Sequence, residues 1–82
     1  MVLKKARPAT LTGIIIPADW NERHELIAVA LATADEKEYR IGGGRKGKEL
    51  LELLHRQVEV NGALAKDENG KEIVTVRSYI LK

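Results

Sequence analysis

Apolar positions alternate with polar or small ones through most of this chain, and the pattern switches once to helical spacing. In ATLTGIIIPA (9–18), β-branched Ile and Thr predict a first strand. Gly13 predicts a bulge or sharp bend within it, and Pro17 its end. DWNERHE (19–25) reads as a polar turn. LIAVALAT (26–33) predicts a second strand, with Ile27, Val29 and Leu31 on one face and Ala28, Ala30 and Ala32 on the other. After the turn ADEK (34–37), EYRI (38–41) predicts a short strand with Tyr39 and Ile41 on one face and Glu38 and Arg40 on the other.

Helical spacing appears in KGKELLELLHR (46–56), where Leu50, Leu53 and Leu54 form an i, i+3, i+4 stripe. Glu49 near its start and His55 and Arg56 at its end suit the helix dipole. Two to three turns of helix need a core to hold them. QVEVNGALAK (57–66) returns to strict alternation, with Val58, Val60, Gly62 and Leu64 inward. Asn69-Gly70 within DENGK (67–71) signals a two-residue hairpin turn. EIVTVRSYIL (72–81) predicts the last strand, with Val74, Val76 and Ile80 inward and Thr75, Arg77 and Tyr79 outward.

The predicted order is therefore β-β-β-α-β-β: an all-β domain with one short helix. Eighty-two residues make one domain, here a basic lead-in (1–8) followed by a single folded unit (9–82). With no Cys there is no disulfide framework and no thiolate site, which leans toward a cytoplasmic protein. MVLKKARPAT has basic residues without a following apolar region, so it does not read as a signal peptide. No apolar run approaches the roughly 20 residues of a membrane span, so no membrane partner is expected.

Five strands with one short helix between the third and fourth match a five-stranded Greek-key barrel, the OB-fold. TLTGIII with its glycine, the LLELL helix, QVEVNGAL and the NGKEIVTVRSYIL arm carry the match. Over about residues 9–81 the chain resembles compact bacterial OB-fold domains related to tRNA-anticodon-binding and single-strand-binding modules. The resemblance implies a non-enzymatic binding module without a cofactor, whose partner is single-stranded nucleic acid, RNA or DNA.

Charge gives that expectation an address. The net charge is only +2, but it comes in blocks. Residues 19–38 are acidic, whereas Arg40, Arg45, Lys46 and Lys48 carry four positive charges with no acid between them. These four are the candidate phosphate contacts, and Trp20 and Tyr79 the candidate stacking residues. The stretch Gly42 to Lys48 also fits G-x-x-x-x-G-K, but Glu49 stands where a nucleotide-binding loop needs Ser or Thr for its magnesium. It reads instead as a turn into the helix. Asp19, Glu22, His24 and Glu25 supply a single imidazole and no fixed frame, so no metal site is expected. His55 has no nucleophile paired with it, and no acid/base pair points to catalysis. The acidic first turn and the scarcity of outward aromatics support an alternative: a protein-interaction or self-associating module that uses the smooth Ala28, Ala30, Ala32 face.

Overall fold

A computed structural model describes residues 6–42 and 44–82. Lys4 and Lys5 of the basic lead-in, and Gly43 of the glycine stretch, lie outside the described residues. The strands are β1 (Arg7–Trp20), β2 (Leu26–Thr33), β3 (Glu38–Ile41), β4 (Gln57–Lys66) and β5 (Glu72–Leu81). Between β3 and β4 lie the helix α1 (Arg45–Leu50) and a single 3-10 turn, Leu51–Leu53. The protein is thus mostly β with one short helix, as the hydrophobic pattern predicts.

The five strands form one sheet that closes in a ring, in the order β1-β2-β3-β5-β4 and back to β1. Every pairing is antiparallel except β3 with β5. That parallel seam is narrow: Arg40 opposes Ile73 and Ile41 opposes Val74. β1 reaches around the ring by changing partners. Its first half pairs with β4 up to Ile14, and its second half with β2 from Gly13 onward. The switch falls at Gly13, where a Cβ would run into the carbonyl oxygen of Ala32. The expected bend is there, and close approach of the neighbouring strand is its cause.

Pro17 does not end β1; it sits opposite Val29 and the strand continues to Trp20. Ile15 shows why this is tolerated. Its N–H and C=O face away from β2, bonding Arg56 O and His55 N. Pro17, two residues on, has its nitrogen on that same side, so no β1–β2 bond is forfeited. At the other end, Arg7 and Pro8 belong to β1, opposite Leu64 and Ala63, rather than to a lead-in.

The ring interior is filled by Ile15, Leu31, Leu50, Val58, Val60 and Val74, all fully buried. Burying each such side chain favours folding by about 1.5–3 kcal/mol. Leu50 comes from α1, so the helix plugs the ring with the leucines the stripe identifies. The helix is shorter than its predicted span. After the 3-10 turn, Leu54 adopts ψ 135° and His55 adopts φ 67°, which ends the helical run before His55 and Arg56.

Two face assignments differ from the alternation, each because of a bulge. Asp19 opposes Ala28 and Trp20 opposes Leu26, which leaves Ile27 as the extra residue of β2. Ile27 is 51% exposed instead of sharing the inner face with Val29 and Leu31. In β5, Gly62 opposes Val76 but Asn61 opposes Ser78, so Arg77 is extra and the phase of the strand flips. Tyr79 consequently turns inward beside Val60, and Ile80 outward, 60% exposed.

Candidate binding groove

A groove of about 650 Å³ opens where β2, β3 and α1 meet the β4–β5 turn, beside the bulge at Ile27 and the narrow β3–β5 seam. β3 stops at Ile41, so beyond it the first residues of β2 face the helix across a gap. The apolar lining comes chiefly from Leu26, Ile27, Ala28, Leu51 and Ile73. Three charged residues border it: Arg40 from β3, Lys48 from α1 and Asp67 from the β4–β5 turn. Among the described residues, no hydroxyl, thiol or imidazole side chain lines it. Such a surface can hold an apolar body while cations contact an anionic group.

Helix geometry decides which cations reach the groove. Gly47 and Leu51 are four residues apart and share one side of the helical segment with Lys48; Lys46 and Glu49 are three apart and share another. Gly47 is buried against β3, and a Cβ there would collide with the carbonyl oxygen of Gly42. The second glycine of G-x-x-x-x-G-K is therefore a packing residue inside a six-residue helix.

The candidate residues accordingly separate. Arg40 and Lys48 border the groove. Trp20 does not line it, but it opposes Leu26, which does, and is 51% exposed beside it. Arg45 is exposed at the start of α1 and outside the lining. Lys46 lies 3.7 Å from Glu49 and 5.8 Å from the centre of the Tyr79 ring. The Tyr79 hydroxyl donates to Glu49 Oε1 at 2.7 Å. That hydrogen bond, with the adjacent carboxylate charge, raises the phenol pKa above its ordinary value of 10.0. Tyr79 is thus half-buried and engaged with α1 rather than displayed for stacking.

Arg40 also meets an acid. Its Nη2 lies 3.9 Å from Asp19 Oδ2, across the outer face of β2. Asp67 is occupied locally: its Oδ1 accepts from the N–H groups of Asn69 and Lys71, at 2.8 and 2.9 Å. The alanine face of β2 is not a continuous platform. Ala30 is only 5% exposed, and of the three alanines Ala28 alone lines the groove. Among the described residues no cluster of three or more His, Cys, Asp or Glu is placed to hold a metal ion, and no helix is long and apolar enough to cross a membrane.

No protein-family model, curated protein or solved structure matches this chain.

The apolar lining is what the sequence reading missed. Leu26, Ile27 and Ile73 each stand one or two residues inside a strand, beside a turn. Apolar residues at strand ends, where core burial is incomplete, were the available signal.

Proposed function

We propose that this chain is a non-enzymatic OB-fold module that binds single-stranded nucleic acid in the groove between β2, β3 and α1. The observation that carries the reading is the position of that groove. OB-folds bind oligonucleotides on the face of their second and third strands, beside the loops joining strands 1–2 and 4–5. Here the groove adjoins β2, β3 and the β4–β5 turn, with Arg40 and Lys48 beside an apolar lining. The ring order β1-β2-β3-β5-β4, with its helix between β3 and β4, supports the same assignment. In this reading Arg40 and Lys48 contact phosphates, the apolar lining receives an unstacked base, and Trp20 stands at the rim as a stacking surface.

The test is a titration of the protein with mixed-sequence single-stranded DNA and RNA, read by Trp20 fluorescence and by anisotropy of a labelled oligonucleotide. Two phosphate contacts predict a slope of log K against log salt of about −1.4. Absence of binding at about 20 mM salt, where screening is weakest, retires the reading. A second reading rests on one specific feature: among the described residues, no aromatic side chain lines the groove. An extended apolar peptide bearing an acidic group suits the same lining, and protein partners become the object of the search if oligonucleotides fail.

A further inference from the structure

Resting on that reading, we infer that Asp19 is a specificity-determining residue: a built-in competitor that keeps Arg40 from binding anions lacking an apolar body. Arg40 is the groove's only cation from a strand, and Asp19 is the one carboxylate within ion-pair distance of it, among the described residues. Local geometry directs the approach. Asp19 sits between two register shifts of β1, and such bulges re-aim side chains. Its Oδ1 accepts the Trp20 N–H at 2.9 Å, which fixes the carboxylate and leaves Oδ2 toward Arg40.

The pair contributes little as a structural bond. Both side chains are about half exposed, 45% and 53%, at a separation of 3.9 Å, and exposed pairs of this kind stabilise a fold only marginally. Its effect on a ligand is larger, because an incoming phosphate meets a fixed negative charge beside the cation it seeks. A ligand that also fills the apolar lining offsets that repulsion. A bare polyanion does not. Polyphosphate spaces its charges more closely than an oligonucleotide does, so it places more charge beside Asp19 and is repelled more; the groove therefore selects strands with exposed bases over phosphate alone.

Asp19→Asn tests this while keeping the acceptor for the Trp20 N–H. Two probes are titrated at equal salt: a labelled oligothymidylate and inorganic polyphosphate. Removing one like charge a few ångströms from the phosphate predicts about fivefold tighter oligonucleotide binding. Arg40 and Lys48 still supply the two phosphate contacts, so the salt slope stays near about −1.4 while the affinity rises. Polyphosphate affinity rises by more than the oligonucleotide's, so the selectivity ratio falls. In an Arg40→Gln background the same substitution gains less than half as much. If Asp19→Asn leaves both affinities within twofold while Arg40→Gln weakens the oligonucleotide, Asp19 is no competitor and the groove stands without it. If neither the wild type nor Asp19→Asn binds oligonucleotide at about 20 mM salt, the groove reading fails and this inference fails with it.

Discussion

The two sides of α1 use the same residue types for opposite ends. On one side, Lys46, Glu49 and Tyr79 satisfy one another: the lysine lies near both the carboxylate and the ring, and the phenol donates to the carboxylate. On the other, Lys48 stands beside Leu51 at the edge of an apolar groove, with Arg40 across from it. A run of four positive charges in sequence is therefore not one patch in space. Each residue advances the helix by roughly 100°, so Lys46 joins the bonded cluster that ties α1 to β5 while Lys48, two residues on, faces the groove. Positive charge along a sequence becomes a binding argument only after the helix phase has sorted it.

The most severe way to break this division is to move the helix itself. Gly47 packs α1 against the end of β3, with the Gly42 carbonyl where a side chain would begin and Ile41 Cγ2 3.4 Å from the same point. Gly47→Val forces the helix outward and disturbs both sides together. The expected destabilisation is about 1–3 kcal/mol, the range for overpacking a tight site. Urea unfolding followed by circular dichroism measures it; an unchanged midpoint would mean that α1 is not seated against β3 at Gly47.

A gentler pair of substitutions sharpens the contrast. Lys48→Ala is expected to weaken oligonucleotide binding about fivefold at low salt. It is also expected to make the salt slope shallower by about 0.7, the share of a single neutralised phosphate. Lys46→Ala, two residues away, is expected to leave affinity within about twofold, since its charge lies with Glu49 on the far side. Equal weakening by the two substitutions would show that the basic run acts as a diffuse field, and would contradict a groove bordered by Lys48.

Much of this architecture was legible from the order of residues. β2, β3, β4 and β5 occupy the predicted spans because their alternation is strong and polar turns bound them. What escaped were features set by ring closure rather than by local pattern. The bulges at Ile27 and Arg77 shift the phase within β2 and β5, and only the strand pairings around the ring locate them. Each reversed or displaced a face, and the second sent Tyr79 inward. The turns teach a related lesson. Asn69-Gly70 signals a two-residue hairpin, yet the chain makes a wider turn in which Asp67 N–H bonds Lys71 O and Gly70, at φ 81°, bonds back to Asp67. The same arrangement recurs from Asn21 to Glu25 and from Thr33 to Lys37, with His24 and Glu36 at φ 65° in the place of the glycine. Only the copy with glycine announces itself in sequence. The groove was legible in part: Arg40 and Lys48 were marked by charge, but its lining required knowing that β3 ends before β2 does.

The smallest expected effect tests the bonded side of α1 through its titration. Tyr79 can donate to Glu49 only as the neutral phenol, and ionising it beside a carboxylate is unfavourable, so its folded pKa lies above 10.0. In the unfolded chain the phenol titrates near its ordinary value. Between the two values the folded state holds a proton that the unfolded state has released, so stability falls as pH rises. The contribution of this hydrogen bond is thus complete below about pH 10 and fades as pH climbs through the raised folded value. Tyr79→Phe removes both the bond and its titration. Comparing urea midpoints of wild type and Tyr79→Phe from pH 8 to 11 cancels the background of lysines that titrate in the same range. A wild-type advantage that is level to about pH 10 and then shrinks is expected. An advantage that persists or grows at alkaline pH would mean that the phenol is not held neutral by Glu49, and that packing alone joins α1 to β5.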